Sequence, residues 1–439
     1  MLAGRRRQAP RRWWKRKKTQ DSVSVEWGGM IMNQWLRMGA LSGAAGLAVL
    51  FGSAFASAET FTGPGVTDKE IRIGNTMPYS GPASALGNTG KVISAYFKMI
   101  NDAGGVNGRK IDLRSMDDGF SPPKTVEQTR KLVEDDQVAF MFATMGTAPS
   151  SAIQRYLSGK GVPLIFLISS AGKWNDPKNF PLTMAFPWQP PYSTEGRIYL
   201  DYMRKNDPKA RVAVLYQNDD SGKEYIRGLR EALGADADKV IAAAMPFEVT
   251  EPTVDSQVLA LAATKAEAFM ILGVTPRACS QAIRKAWEIG WRPMRFLASS
   301  CINPDQILKP AGLDKAEGII TMLSFRTVSA DSQNDSKVSG YLDFMKKYAP
   351  GIDPTDFYAV YGYTVAGAMT EVLKAAGDNP SRENVMKQAA TMKGVALPML
   401  LDGITLNTTP DDYRPLRSGY LARFTGGQWK PFGSLLSGQ

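Results

Sequence analysis

Residues 139–151 read Ala139-Phe140-Met141-Phe142-Ala143-Thr144-Met145-Gly146-Thr147-Ala148-Pro149-Ser150-Ser151. The apolar run Ala139–Thr144 turns through Gly146-Thr147 into a helical segment over Ser150–Leu157. A strand without polar alternation that feeds straight into a helix is the unit of a parallel sheet covered on both faces. The same unit recurs in both directions. Upstream, Ile71–Met77 reads as a strand, and Val92, Ile93, Tyr96, Phe97 and Ile100 repeat at helical spacing. Gly104-Gly105 ends that helix, because glycine accepts the left-handed cap conformation. Ile111–Met116 is the next strand and Thr125–Glu134 the next helix. Downstream, Pro163–Ile168 continues the pattern, and a second series starts after Pro187. It comprises a helix near Thr194–Arg204, strand Arg211–Tyr216, helix Lys223–Leu233, strands Lys239–Met245 and Ala268–Val274, helix Ala278–Ile289 and strand Arg295–Ala298. Asp335–Ala389 is mostly helical, and Gly419–Phe424 reads as the last strand. Two such series predict an α/β fold of two Rossmann-like lobes. Pro187–Pro191 and Thr327–Asp335 read as crossovers between them.

The 439 residues carry a net charge of +11, which on its face suggests a nucleic-acid binder. Its distribution excludes one. Residues 1–29 hold nine Arg or Lys against two acids, while from Glu59 onward 43 basic residues face 40 acidic ones. Between these regions Arg37 precedes an apolar run, Met38–Phe55, and small residues follow at Ala56 and Ala58. This is the order of a cleavable secretory signal, with cleavage near Ala58 and export to the periplasm. The apolar run is short and interrupted by Gly and Ser, unlike a permanent span. Met30 or Met32 would open a normal signal of this kind, and residues 1–29 then read as an upstream extension.

There is no His, which removes the commonest general base and metal ligand. The two cysteines, Cys279 and Cys301, cannot form a zinc site. A disulfide and a pair of buried thiols both stay open. Gly87-Asn88-Thr89-Gly90-Lys91 lacks the spacing and final Ser or Thr of a phosphate loop. Asp117-Asp118 reads as a strand-end turn, and Trp174, Trp188, Trp287 and Trp291 as core and edge filling. No enzyme activity, cofactor or metal is expected.

In open α/β sheets ligands bind beyond the carboxyl ends of strands. Two such loops are rich in hydroxyls and glycine: Met145–Ser151, where Ser150 or Ser151 could cap a helix, and Ser169-Ser170-Ala171-Gly172-Lys173-Trp174. Exposed amides at a helix start, with the helix dipole, favour an anion such as a carboxylate. Loops of this composition are also common wherever strands turn into helices.

Further stretches carry a resemblance. They are Ile71-Arg72-Ile73-Gly74 with Tyr79-Ser80-Gly81-Pro82, then Ile100-Asn101 through Gly104-Gly105-Val106-Asn107-Gly108-Arg109-Lys110. Asp117-Asp118 with Pro123-Lys124, Val162-Pro163, Ser169-Ser170 and Gln217-Asn218-Asp219-Asp220-Ser221-Gly222-Lys223 complete the set. In order and spacing, over residues 67–430, the chain resembles the leucine/isoleucine/valine-binding proteins, the periplasmic receptors of branched-chain amino-acid ABC importers. The resemblance implies a type I periplasmic binding protein fold, two lobes joined by a three-strand hinge that closes on ligand. The first lobe would be 67–187 with 324–413, the second 188–323 with 414–439. It implies a carboxylate site at Gly146, Thr147, Ile168, Ser169 and Ser170, and a first-lobe wall near Leu86. The second-lobe contacts fall near Ser221 and Thr275. The family's acidic partner for the ligand ammonium falls near Ser300, which has no charge. An ammonium buried without a counter-charge is costly, so an aromatic or aliphatic carboxylate competes with an amino acid unless Asp220 supplies the charge. The partners implied are a small-molecule carboxylate or amino acid and an inner-membrane ABC permease, with the receptor a monomer. A ligand-sensing clamshell that signals to a separate receptor is the alternative.

Overall fold

Strands buried on both faces organise the chain into two sheets, described here from a computed structural model. It describes residues 60–437 apart from 330, 331, 333 and 334. The basic leader, the signal segment and the cleavage point near Ala58 lie outside the described residues. The first sheet contains β1 (Glu70–Met77), β2 (Lys110–Asp117), β3 (Phe140–Phe142), β4 (Leu164–Leu167) and β5 (Thr183–Ala185). Its order is β2-β1-β3-β4-β5, all parallel, with Ile71 opposite Ile111 and Ile73 opposite Phe140. The chain therefore reverses its direction of travel between β1 and β3, the place where doubly wound sheets open a crevice.

The second sheet contains β6 (Val212–Gln217), β7 (Ile241–Phe247), β8 (Ala268–Leu272), β9 (Met294–Leu297), β10 (Ile320–Leu323), β11 (Ser418–Thr425) and β12 (Gln428–Ser437). Its order is β12-β11-β10-β9-β8-β6-β7. Every residue of β3, β4 and β8 is buried, which is why these strands read as unbroken apolar runs. The sheet is not parallel throughout, as the alternation implied. β11 runs antiparallel to β10, and Gly426-Gly427, both with positive φ, turn it into antiparallel β12. Gly419–Phe424 is thus the penultimate strand. β12 is an edge strand, largely exposed and containing Pro431 and Gly433, so it carries no apolar run to read.

Five helices matter for the site: α1 (Asn88–Asp102), α2 (Pro122–Arg130), α3 (Thr147–Gly159), α4 (Tyr192–Asn206) and α5 (Asp220–Leu233). The chain leaves the first sheet after β5 and enters α4. It returns after β10 to the helices Ser336–Tyr348, Phe357–Ala376 and Arg382–Ala389, and goes back to β11. The second of these helices lies on α1, where a Cβ at Gly362 would sit 2.6 Å from the Thr89 carbonyl. Arg382 bonds the Val138 and Ala139 carbonyls beside β3. Three passages thus join two lobes, as the type I fold requires. Trp188, at the first passage, is buried with its ring 4.1 Å from that of Tyr361. Cys279 and Cys301 are disulfide-bonded and fully buried.

Candidate functional site

The carboxyl ends of β3 and β4 are bent by design of the sequence. Ala143 and Phe166 both take positive φ, and the β4–β5 register shifts between Ile165 and Leu167. Asn75 holds the first bend, donating from Nδ2 to the Phe142 carbonyl at 2.7 Å and the Ala143 carbonyl at 2.9 Å. Ser115 in turn donates to Asn75 Oδ1. Beyond the bends Met145 bridges Ile168, and the Gly146 amide donates to the Ile168 carbonyl at 3.0 Å. The two loops singled out in the sequence therefore lie side by side. Gly146 has φ 101°, and a Cβ there would fall 2.5 Å from the Phe120 ring. Only glycine fits.

α3 starts at Thr147, and no side chain caps it; the N-cap is Gly146, not Ser150 or Ser151. The first-turn amides of Thr147 and Ala148 have no carbonyl within the helix to bond. Around them the hydroxyl protons have a direction. Ser169 Oγ accepts from the Ala171 amide and from Trp174 Nε1, both at 3.1 Å, so its own proton goes to Thr147 Oγ1 at 2.8 Å. Ser150 Oγ and Ser170 Oγ are buried without any partner. Buried hydroxyls are normally bonded. Unpartnered hydroxyls beside an uncapped helix start form a seat for an acceptor, best an anion.

The second lobe meets this seat through α4 and α5. Tyr192, first residue of α4, donates its amide to the Ser170 carbonyl at 3.1 Å, and its hydroxyl lies 3.5 Å from Thr147 Oγ1. Its ring packs on Tyr225 at 4.9 Å. Burial pushes the phenol up to about 12. Glu195 lies behind, fully buried, and both its oxygens are occupied. They accept from Tyr199, the Ser299 amide, Tyr225 and Gln189. Desolvation raises its pKa. Asp220 and Glu224, one turn apart on α5, both reach the loop after β4. Asp220 pairs with Lys173 at 2.7 Å, which lowers its pKa. Glu224 accepts from the Gly172 amide at 3.0 and 3.1 Å, and burial raises its pKa.

The structure brings together Gly146, Thr147, Ile168, Ser169 and Ser170. Leu86 is buried in a short turn before α1. Of the second-lobe candidates, Ser221, Thr275 and Ser300 bond within their own lobe. Ser221 Oγ donates to Asp219, which caps α5. Thr275 Oγ1 donates to Gln217 at 2.8 Å, and Ser300 Oγ to the Gly273 carbonyl at 2.7 Å. Asp220 is not left as a lone charge for an ammonium, because Lys173 holds it. The sequence reading missed Tyr192, Glu195 and Glu224. For Tyr192 a signal existed: a tyrosine directly after Pro190-Pro191 at the start of a crossover helix.

Asp117 and Asp118 organise a turn, as expected. Asp117 bonds Lys124, Ser80 and the Tyr79 and Gly119 amides. Asp118 bonds the Phe120 amide and Thr125. Other surface depressions lie elsewhere. One of about 540 Å³ is lined by Gly65, Arg72 and Arg382, and one of about 500 Å³ by Tyr202, Phe432 and Leu436. Neither presents a comparable set of buried unpartnered donors. Among the described residues no group of His, Cys, Asp and Glu could hold a metal, and no helix is long and apolar enough to cross a membrane.

Two doubly wound lobes, three passages and a polar seat at their junction define a two-lobed solute-binding protein. The chain belongs to the periplasmic binding protein family, whose profile matches residues 70–428. It is a binding protein and not an enzyme. It is 28% identical over 194 residues to the Leu/Ile/Val-binding protein homolog 3 of Brucella melitensis, a match covering 44% of this chain and half of that protein. A branched-chain amino acid ABC transporter protein from Thermus thermophilus, solved with bound valine, superposes with a TM-score of 0.74 at 16% identity, covering 85% of this chain and 97% of that one. The fatty acid ABC transporter substrate-binding protein from Thermomonospora curvata gives 0.70 at 21% identity, covering 86% and 95%.

Proposed function

We propose that this chain is the solute-binding component of an ABC importer, exported to the periplasm, where it captures a small hydrophobic carboxylate, amino acid or not, between its lobes and hands it to an inner-membrane permease. One observation carries the carboxylate: the buried, unpartnered hydroxyls of Ser150 and Ser170 beside the uncapped start of α3. Gly146, Thr147, Ile168, Ser169 and Ser170 would hold the carboxylate. Leu86 would wall the first lobe, and Asp220, Ser221, Thr275 and Ser300 would face the ligand from the second. The proteins resembling this chain include one solved with valine and one described for fatty acids, which have a carboxylate in common. The receptor is expected to work as a monomer.

Melting of the mature protein with leucine, valine, phenylacetate, hexanoate and 4-methylpentanoate tests this. A ligand at 100 times its Kd stabilises the folded state by about 2.7 kcal/mol. At least one of these acids should raise Tm, and the uncharged amide of the same acid should do so less. No shift with any acid would remove the carboxylate reading.

A further inference from the structure

We propose that Tyr192 is a ligand-binding residue, whose hydroxyl is delivered by the second lobe to the carboxylate that the first-lobe seat holds. This rests on the carboxylate reading above.

The argument is one of protons. Ser169 gives its proton to Thr147, because its own oxygen already accepts from the Ala171 amide and Trp174 Nε1. Thr147 and Tyr192 then hold two hydroxyl protons and lie 3.5 Å apart. At most one of these protons can serve a bond between them, whichever residue donates. The other has no assignment within the pair, and the residue whose carbonyl accepts the Tyr192 amide, Ser170, itself carries an unpartnered hydroxyl. An oxygen that brings lone pairs and no proton, as a carboxylate does, completes this set. A primary amide brings only one such oxygen and no charge, and its two N–H donors would take hydroxyl lone pairs and leave the free protons without an acceptor.

The ring cannot easily turn away. Tyr192 is fully buried, its amide is tied to Ser170, and its ring rests on Tyr225. Tyr225 in turn bonds Glu195, which is fixed by Tyr199, Gln189 and the Ser299 amide. The hydroxyl is therefore preorganised at the seat by second-lobe packing. Because it comes from α4, just after the first passage, its bond to the ligand would couple carboxylate capture to approach of the lobes.

The test compares wild type with Tyr192→Phe by calorimetric titration, using phenylacetate and 4-methylpentanoate, each beside its primary amide. A bond from a neutral hydroxyl to a charged group corresponds to roughly a tenfold to hundredfold loss when removed. Y192F should lose that factor for the acid that wild type binds and less than about threefold for its amide. Thr147→Val should give a similar acid-specific loss, and the double variant should lose less than the product of the two. The second variant also serves if Y192F folds poorly. Equal losses for acid and amide, or unchanged acid affinity in Y192F, would overturn the assignment and make Tyr192 a packing residue. The titration is run likewise with leucine, valine and hexanoate, and if wild type binds none of the five acids, both the carboxylate reading and this assignment fall. That result is distinct from acid binding that is insensitive to Tyr192.

Discussion

Lys173 and Asp220 tie the two lobes together with an ion pair of 2.7 Å, and Ser151 lies between them, accepting from Lys173 Nζ at 2.8 Å. One turn further along α5, Glu224 takes the Gly172 amide. The loop after β4 is thus clasped from the second lobe by two acids on one helix face.

The clasp should favour the closed form, and only modestly. Both side chains are partly exposed, at 35% for Lys173 and 55% for Asp220. Pairs of that exposure contribute about 0.2–1 kcal/mol and are screened by salt. Lys173→Ala should therefore weaken ligand binding by up to about fivefold, mostly through faster release. Raising salt to 1 M should weaken wild type and leave K173A nearly unchanged. The pKa of Asp220 is lowered in the fold by Lys173, so the clasp is present at neutral pH and is lost as pH falls through that depressed value. Stopped-flow release rates at two salt concentrations check this. Equal salt sensitivity in both proteins would remove the clasp from the closing equilibrium.

The seat hydroxyls should trade stability against binding. Ser150 and Ser170 hold buried oxygens with no partner in the fold. A group in that position costs about 1–3 kcal/mol of desolvation, and its removal costs nothing that a bond had supplied. Ser170→Ala should leave Tm unchanged or raise it, while carboxylate affinity falls at least tenfold. Thermal melting paired with titration decides. A lowered Tm with unchanged affinity would mean that Ser170 serves the fold and not the ligand.

The fold was readable because central strands such as Phe140–Phe142 and Ala268–Leu272 are buried on both faces and so contain nothing but apolar residues. β12 was not, because its exposed edge carries polar residues, Pro431 and Gly433 instead of a run. That the loops carrying Gly146, Thr147 and Ser170 lie side by side was readable, because a strand end fixes where its loop goes. The opposite wall was not. That Asp220 pairs with Lys173 depends on how two lobes far apart in sequence meet, and no local pattern encodes that. The surroundings of Tyr192 were hidden for the same reason: its neighbours Thr147 and Ser170 come from the other lobe.

The Cys279–Cys301 bond should matter for stability and little for ligand capture. It joins the helix Pro276–Glu288 to the turn after β9, within the second lobe, across a sequence separation of 22. A loop of that size implies about 3 kcal/mol from restriction of the unfolded chain. Reduction under mild denaturant, or the double Cys→Ala variant, should lower Tm by several degrees while ligand affinity changes less than about threefold. Ser300 adjoins Cys301 and bonds Gly273, so a larger loss of affinity would show that the bond also positions this part of the second lobe.

Asp118 should make the fold more stable in mild acid than at neutral pH. It is fully buried, accepting from the Phe120 amide at 2.9 Å and from Thr125 Oγ1 at 3.0 Å. Burial pushes its carboxyl up to about 6 despite those two bonds. Its neighbour Asp117 behaves in the opposite way: burial works against its charge, but Lys124, Ser80 and the Gly119 amide hold it below the usual carboxylate range. In the unfolded chain Asp118 would titrate near 4. The folded state therefore binds its proton more tightly. That contribution is full below about pH 4 and is lost as pH rises through 6, amounting to up to about 3 kcal/mol. Glu195, Glu224 and Asp356, all raised by burial, act in the same direction, so the test is a difference between two proteins. Tm of wild type minus Tm of Asp118→Asn should fall between pH 4 and pH 7, and a flat difference would contradict the assignment. The consequence reaches the seat, because Asp118 holds the Phe120 amide and the Phe120 ring packs against Gly146, leaving no room for a Cβ there. Loosening this turn should lower carboxylate affinity together with Tm, whereas reducing the disulfide should lower Tm alone.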